Sequence, residues 1–437
     1  MGAPLGPFWG GFPLNSNLGL DLTLNYCGRC SFCFADLNKP KRRAKVSAVE
    51  RFIQRHIDQK GRGYAAWLLK QGHAVVFSNR VDPFSATNLK YSMPLIEQML
   101  EADIRFSLQT KGGEGAYQTL DLLDRYGRQI VWYISIETLS DKISSTFARG
   151  APLPKERLVL VKEIIKRGHK VNVGINPCVP QWLRSPKKLT NILAKLGVWG
   201  VWVQPLHLRL TQLKNMPFAD WKVFGEANST VIKFWKEIDF KQKYCRLPLL
   251  LDQAVYPQKY PYVFEHVNKT KQAARQSGLE VYDGQQAERS DYFKPYKDLY
   301  PVAFPLMQDF VNYCHDTKKS GDAIYWKDFR DFFVPKLPNG KWGLREYLSA
   351  QTYRNRMYGL NIPQQMTFEE LLYYMWQHKN ITPSPVNVLC FSWAADWEKQ
   401  KNGKFGWTRY IDDDDMPILI FRPEGTNDAY TQWDSDC

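Results

Sequence analysis

The sequence predicts an α/β protein built on a partial (βα)6 TIM-like barrel, followed by a mainly helical, aromatic-rich C-terminal region. Short strand-like runs alternate with longer amphipathic stretches from Leu20 to about Pro205. Such alternation is typical of parallel strands joined by right-handed crossovers. Six repeats are fewer than the eight of a closed barrel, so we expect an open barrel with functional loops at the carboxyl ends of its strands.

The individual elements follow from the period of the apolar residues. The expected strands are Leu20–Tyr26, Ala74–Ser78, Ile104–Gln109, Ile130–Ile136, Lys170–Asn176 and Gly200–Gln204. The expected helices between them are Ser47–Asp58, Leu89–Glu101, Ala116–Tyr126, Lys155–Arg167 and Leu189–Leu196. Because the alternation stops there, we place a barrel domain over residues 1–205.

Residues 206–437 lack this alternation of strands and helices and are rich in aromatic side chains. The helices expected there are Phe218–Glu237, Tyr300–Thr317, Tyr325–Phe333 and Thr367–His378. Proline- and glycine-containing stretches such as 335–340 separate them. The size of this region fits a substrate-binding appendage.

Composition points to a basic protein without a membrane-spanning run. The 437 residues include 59 basic and 44 acidic side chains, for a net charge of +15, together with 15 Trp and 23 Tyr. Such a composition favours a polyanionic partner with stackable bases, such as a nucleic acid or a nucleotide. The alternative is that the basic residues are spread over a solvated surface. We expect a soluble, cytoplasmic protein with no membrane partner.

Cys27, Cys30 and Cys33 lie within seven residues, directly after the first expected strand. Three thiolates on one loop can hold three corners of a metal cluster and leave the fourth corner open to a small molecule. The loop follows a strand, which is where barrels of this type place their functional residues. The position and the chemistry of the loop therefore agree.

Zinc is the main alternative for this loop. A structural zinc needs four nitrogen or sulfur ligands, but the sequence has no second C-x-x-C pair and the nearest histidines, His56 and His73, stand alone. A distant cysteine could still complete such a site. A redox disulfide would leave the third cysteine unexplained. An iron–sulfur cluster accounts for all three and is the preferred interpretation.

Further motifs follow the later strands in a consistent order. They are Val76–Phe84, Leu108–Lys111, Ile134–Thr138, Arg149–Pro152 with Arg157 and Leu158, and Val173–Pro180. Together with the cysteine loop and the aromatic Phe32 before its last cysteine, this series resembles the radical S-adenosylmethionine superfamily. Within that superfamily it is similar to the spore photoproduct lyase-like, or DNA repair photolyase-like, branch. The resemblance covers roughly residues 20–205.

The resemblance implies a cofactor pair and a reaction. Cys27, Cys30 and Cys33 would bind a 4Fe–4S cluster, and S-adenosylmethionine would chelate its fourth iron. The reduced cluster would cleave S-adenosylmethionine to a 5′-deoxyadenosyl radical that abstracts a hydrogen from the substrate. An electron donor such as a flavodoxin or a ferredoxin would be a partner of such an enzyme.

The resemblance also implies which side chains contact S-adenosylmethionine. They are Phe32, Ser78, Asn79, Asp82, Thr110, Lys111, Ser135, Glu137, Arg149 and Asn176. The residues after the second strand would meet its amino-acid part, and those after the later strands its carboxylate, methionine or ribose. The alternative for each is a structural role: Asp82 before Pro83 could only shape a turn, and Glu137 could only pair with Arg149.

Two features depart from the family's pattern. The usual spacing is C-x3-C-x2-C, whereas this loop reads C-x2-C-x2-C and is one residue shorter. The hydrogen-donating cysteine of spore photoproduct lyases is also missing around Phe77 and Ser78. We therefore name Cys178, just after the fifth strand, as the candidate catalytic hydrogen donor. The alternative is a packed core cysteine.

The sequence thus predicts a radical S-adenosylmethionine enzyme with a nucleic acid or a nucleotide as substrate. Lyase, transferase and oxidoreductase chemistry all stay open, as does a peptide or small-molecule substrate. The alternative from another class is a non-catalytic nucleic-acid-binding protein with a structural zinc or iron–sulfur site.

Overall fold

The structure, a computed structural model, describes the barrel region and parts of the C-terminal region. The described residues are 19–20, 27, 30, 32, 46–62, 64–72, 75–77, 81–204, 261–282, 307–342, 365–377, 391–393, 395–399, 405–409 and 411–421. The predicted helix Phe218–Glu237 lies outside them.

A seven-stranded sheet forms the centre of the fold, and all of its strand pairs are parallel. Its strands are β1 Gly19–Leu20, β2 Val75–Phe77, β3 Phe106–Thr110, β4 Val131–Ser135, β5 Lys170–Ile175, β6 Gly200–Val203 and β7 Glu280–Tyr282. They lie side by side in chain order. This is the strand order of a TIM barrel, here with fewer strands, so the predicted partial barrel is confirmed.

The sheet has one strand more than the sequence predicted. β7 pairs with β6, with Val201 opposite Val281 and Trp202 opposite Tyr282. The helix before it, Pro261–Gln276, packs against the helix between β5 and β6. The sheet therefore continues beyond residue 205, and the division at 205 stays a prediction.

Helices connect the strands as expected. In chain order they are α1 Val46–Ile57, α2 Tyr64–Lys70, α3 Leu89–Glu101, α4 Glu114–Arg125, α5 Asp141–Phe147, α6 Pro154–Lys166, α7 Pro186–Leu196 and α8 Pro261–Gln276. Local signals set several ends. Proline begins α6 and α7, where its missing N–H costs nothing. Gly197 ends α7 with a left-handed φ of 84°.

The two faces of the sheet differ in chemistry. The face toward the helices is apolar, and Leu108, Trp132 and Val173 are fully buried there. The strand alternation turns Ser107 and Asn172 to the opposite, concave face. Hydrophobic burial between sheet and helices thus stabilises the fold, while the inside of the open barrel carries polar groups.

The C-terminal region combines helices with short antiparallel strands. The described elements are α9 Met307–Thr317, β8 Ala323–Ile324, α10 Trp326–Phe333, a 3-10 turn Val334–Lys336, α11 Phe368–Gln377, β9 Phe391–Trp393, β10 Ala395–Lys399, β11 Phe405–Arg409 and β12 Leu419–Phe421. Its core is an aromatic cluster in which Phe329 contacts Phe310, Phe333 and Trp376. Across the described helices, none is both long and apolar enough to cross a membrane.

Candidate active site

The cysteine loop lies against the loop that follows β4. Cys30 forms an isolated antiparallel bridge with Ala148, which ends α5. The side chains of Cys27 and Cys30 are half-buried, and neither forms a disulfide with another described cysteine. Cys33, like Ser78 and Asn79, lies outside the described residues.

Three aromatic rings join the loops after β1, β4 and β5. The ring of Phe32 lies 5.3 Å from that of Trp182, which stacks on Phe147 at 4.3 Å. The hydroxyl of Thr138 donates a 2.6 Å hydrogen bond to the carbonyl of Trp182. The backbone that carries Cys30 is therefore held to the edge of the sheet by a bridge on one side and by an aromatic contact on the other.

Asp82 fastens the loop after β2 to the end of β3. Its Oδ1 accepts hydrogen bonds from the hydroxyl of Thr110 at 2.8 Å and from the amide of Phe84 at 3.0 Å. Its Oδ2 accepts one from the amide of Lys111 at 3.1 Å. These bonds give Asp82 the structural role that the sequence left open, and its contact to a cofactor stays a prediction.

Lys111 and Glu137 form a largely buried ion pair at the same edge. Their side chains are 12% and 4% exposed, and the ammonium contacts Glu137 Oε1. The ammonium also lies 5.5 Å from the centre of the Phe32 ring. A positive charge therefore lies beside the aromatic residue of the cysteine loop, where an anionic ligand group would find a partner.

Arg157 completes this charge cluster from α6. Its Nη1 donates to Glu137 Oε2 at 2.8 Å and to the carbonyl of Ser135 at 2.9 Å. Its Nε donates to the carbonyl of Pro152 at 2.8 Å, and its Nη2 to the hydroxyl of Ser144 at 3.1 Å. Glu137 is therefore bound by Lys111 and Arg157, and the pair with Arg149 that the sequence left open is replaced by these contacts.

The environment of Arg157 is unusual for an arginine, because its side chain is fully buried. Burial lowers the pKa of the guanidinium to about 10, while the nearby Cys30 and Asp82 raise it. At neutral pH the group stays charged. Its positive charge therefore interacts with Cys30 of the cysteine loop through a low-dielectric interior, where charges are screened less than in water.

A pair of glycines shapes the turn that carries Lys111. Gly112 and Gly113 have φ values of 92° and 120°, which residues other than glycine rarely adopt. A Cβ on Gly112 would also lie 2.8 Å from the Cδ2 of Leu160. The amide of Gly112 donates to the hydroxyl of Thr110 at 2.8 Å. This turn lets Lys111 reach Glu137.

The remaining predicted residues lie at or near this edge in different settings. Ser135, the last residue of β4, and Asn176, just after β5, are half-buried. Gly174 lies beside Ser135 and Trp202, since a Cβ there would be about 4 Å from both. Arg149 is exposed, and its Nε donates to the carbonyl of Thr146 at 3.2 Å.

Cys178 is placed in the core. It is fully buried, and its Sγ lies 3.4 Å from the hydroxyl of Thr270 on α8. Burial raises the pKa of its thiol to about 12. The thiol therefore keeps its proton at neutral pH, and its role as a hydrogen donor stays a prediction.

The structure describes two of the three cysteines that the loop offers as metal ligands. Within the described ranges, no group of three His, Cys, Asp or Glu side chains is arranged to hold a metal ion. Cys27 and Cys30 thus have no third ligand there, and Cys33 on the same loop is the residue that the sequence offers. Three thiolates on one loop are the ligand set of a cubane cluster with an open corner.

Comparison with known proteins gives a viral relative and several solved structures. No protein-family model matches the chain. Uncharacterized protein ORF301 of Acidianus two-tailed virus is 28% identical over 245 residues, which cover 52% of this chain and 81% of that protein.

The structural matches are more distant. SuiB of Streptococcus suis bound to S-adenosylmethionine is 19% identical with a TM-score of 0.32, and the match covers 48% of this chain and 46% of SuiB. The chain therefore spans less than half of the length of that SuiB chain. Spore photoproduct lyase complexed with dinucleoside spore photoproduct is 13% identical with a TM-score of 0.40, and the match covers 63% of this chain and 79% of the lyase.

Proposed function

We propose that the protein is a radical S-adenosylmethionine enzyme whose 4Fe–4S cluster is held by Cys27, Cys30 and Cys33. The observation that supports this most directly is the attachment of the cysteine loop to a charged strand edge. Cys30 bridges to Ala148, and the ring of Phe32 lies under the ammonium of Lys111. A thiolate loop beside a buried cation is suited to a ligand that carries a carboxylate.

Several residues of this edge can bind S-adenosylmethionine. Lys111 offers its ammonium to the carboxylate of the cofactor, and Glu137, anchored by Arg157, fixes the direction of that ammonium. Ser135 and Asn176 offer a hydroxyl and an amide to the ribose. When bound, the cluster and S-adenosylmethionine supply reductive cleavage and a 5′-deoxyadenosyl radical.

The aromatic residues of the edge limit the access of water. Trp182 and Phe147 are at most 5% exposed and stack between the loops after β4 and β5. A reactive intermediate needs such exclusion, because solvent would quench it before it meets the substrate. Removal of a ring from this stack should therefore increase the fraction of S-adenosylmethionine that is cleaved without conversion of the substrate.

The proposed substrate is a nucleic acid or a nucleotide, because the chain carries a net charge of +15 and many aromatic residues. We further propose residues 206–437 as the substrate-binding region and a flavodoxin or ferredoxin as the electron donor. Cys178 is the proposed hydrogen donor, since burial keeps its thiol protonated.

The test is anaerobic reconstitution followed by cofactor cleavage. The full-length chain should bind about four iron and four sulfide ions. With a chemical reductant it should release 5′-deoxyadenosine from S-adenosylmethionine, measured by mass spectrometry. Cys30→Ala should lose both properties.

Cys314→Ala is the matched control, because Cys314 is a buried cysteine on α9 in the C-terminal region. It should retain the cluster and the cleavage. A colourless protein with one zinc ion and no cleavage would support the alternative, a non-catalytic nucleic-acid-binding protein, and would refute the enzyme.

A further inference from the structure

A basic rim borders the carboxyl edge of the sheet beside the cysteine loop. Segments 138–156 and 176–190, which follow β4 and β5, contain only Asp141 and Glu156 as solvent-facing acids. Six exposed basic residues, here called the basic rim, lie on the same segments: Lys142, Arg149, Lys155, Arg184, Lys187 and Lys188. Positive charge is therefore concentrated at this edge.

The rim lies next to the candidate active site. Arg184 is two residues from Trp182, whose ring contacts Phe32 of the cysteine loop. Two residues of chain span at most about 7 Å. Lys187 and Lys188 lie in the first turn of α7, and the first turn of a crossover helix lies on the side where the preceding strand ends. A ligand on the rim would thus be within reach of the cysteine loop.

Within the rim, Lys155 lies 3.7 Å from the carboxylate of Asp141. Arg184, Lys187 and Lys188 differ from it, and from basic residues elsewhere in the described chain, in their carboxylate contacts. Arg125 pairs with Glu97 at 2.8 Å. Arg167 binds three carboxylates, those of Asp121, Asp124 and Glu163. By contrast, no carboxylate of the described residues pairs with Arg184, Lys187 or Lys188.

Unpaired basic groups on a loop and an adjacent helix turn attract a polyanion. Phosphates of a nucleic acid strand are regularly spaced anions, and their contacts to Lys and Arg release condensed counterions. We propose that the basic rim, through Arg184, Lys187 and Lys188, binds the phosphate backbone of a nucleic acid strand beside the cysteine loop. This deepens the proposed function, because it assigns the substrate's backbone to named residues.

The experiment measures binding of a fluorescein-labelled, mixed-sequence 12-nucleotide DNA strand to the reconstituted full-length protein. Fluorescence anisotropy is recorded at several salt concentrations. The variant Arg184→Ala/Lys187→Ala/Lys188→Ala should bind at least tenfold more weakly. The slope of its plot of log affinity against log salt concentration should be smaller in magnitude by about 2. Each lost phosphate contact to a single strand reduces that slope by about 0.7, and three contacts are lost.

The control variant is Lys162→Ala/Lys166→Ala/Lys195→Ala, which removes the same charge from exposed positions of α6 and α7. Lys195 lies in the last turn of α7, at the opposite end from Lys187. This variant should keep the affinity and the slope of the wild type. Equal effects of the two variants would show that only net charge matters and would overturn the proposal.

A second arm tests vesicles that contain phosphatidylserine. Binding to vesicles that depends on the rim, without binding to the DNA strand, would assign the rim to a lipid surface and also overturn the proposal. The measurement does not use cofactor cleavage. Rim-dependent DNA binding without release of 5′-deoxyadenosine would therefore refute the proposed enzyme and leave the binding surface standing.

Discussion

Replacement of Arg157 by Met is expected to destabilise the barrel region by about 3–5 kcal/mol, because it breaks the buried pair with Glu137 and leaves several buried acceptors without a donor. The side chain is fully buried, and its four hydrogen bonds reach Ser135, Glu137, Ser144 and Pro152. Methionine keeps much of the volume but none of these donors.

A double-mutant cycle with Glu137→Gln measures how much of this loss of unfolding free energy comes from the Arg157–Glu137 pair. Glu137 keeps Lys111 as its partner after Arg157→Met, whereas Glu137→Gln in the same background takes the carboxylate away from that largely buried ammonium. The second substitution should therefore recover little of the loss, but the two should not add fully, because both break the same Arg157–Glu137 pair. The carbonyls of Ser135 and Pro152 stay without their donor in both variants. Recovery should therefore be incomplete, with a coupling of about 0.5–3 kcal/mol.

The assay is urea unfolding followed by far-ultraviolet circular dichroism. The control is Arg125→Met, because Arg125 is 60% exposed in its pair with Glu97, and an exposed pair contributes about 1 kcal/mol or less. If Arg157→Met costs no more than this control, or if the losses of the two single substitutions simply add, then the buried charge cluster does not stabilise the edge as described.

Three further outcomes follow from the same geometry. Burial lowers the pKa of His169, whose Nδ1 accepts from the amide of Ile130 at 3.3 Å. Protonation thus favours the unfolded chain, so stability should fall as the pH drops below about 6.5, and His169→Gln should flatten this dependence in urea titrations. Iodoacetamide should label Cys27 in the folded cluster-free protein but spare Cys178, as read by peptide mass spectrometry. Gly112→Ala should cost about 1–3 kcal/mol in urea unfolding, because its φ is 92°.

Each of these outcomes has a contrary result. An unchanged pH dependence in His169→Gln would assign the effect to other histidines, such as His56 and His266, whose pKa values burial also lowers. Fast labelling of Cys178 would contradict its burial. For the glycine, Gly127→Ala is the comparison, because φ is 61° there but no atom lies within 4 Å of an added Cβ. Gly112→Ala should lower the free energy of unfolding by more than Gly127→Ala, because the added Cβ would also lie 2.8 Å from the Cδ2 of Leu160.

The regular part of the fold was predictable because its signals are local. The strand predicted at Lys170–Asn176 ends one residue earlier, at Ile175, and α3 has the predicted bounds Leu89–Glu101. β7 was missed because three residues, Glu280–Tyr282, carry no periodic pattern of their own. It becomes a strand only through pairing with β6, which is distant in sequence.

The candidate site was predictable in its outline but not in its contacts. The sequence placed Asp82, Lys111 and Glu137 at strand ends, and the structure brings them to one edge. Arg157 belongs to the motif after the fourth strand, but the sequence indicated no role for it. The signal was present, because Arg157 falls on the helical face of Leu160, Val161 and Ile164, all of which are buried. A charge on a buried helical face needs partners, and those were not visible in a linear sequence.

β7 comes from residues 280–282, well after β6 in the chain, and this position decides where the barrel can be truncated. β6 reads Gly-Val-Trp-Val, and β7 covers its outer side. A fragment that stops at residue 205 would present the N–H and C=O groups of this apolar strand to solvent, and such unprotected edges pair with one another and aggregate. Expression of the barrel as a separate, monodisperse piece therefore requires the chain to run past Tyr282.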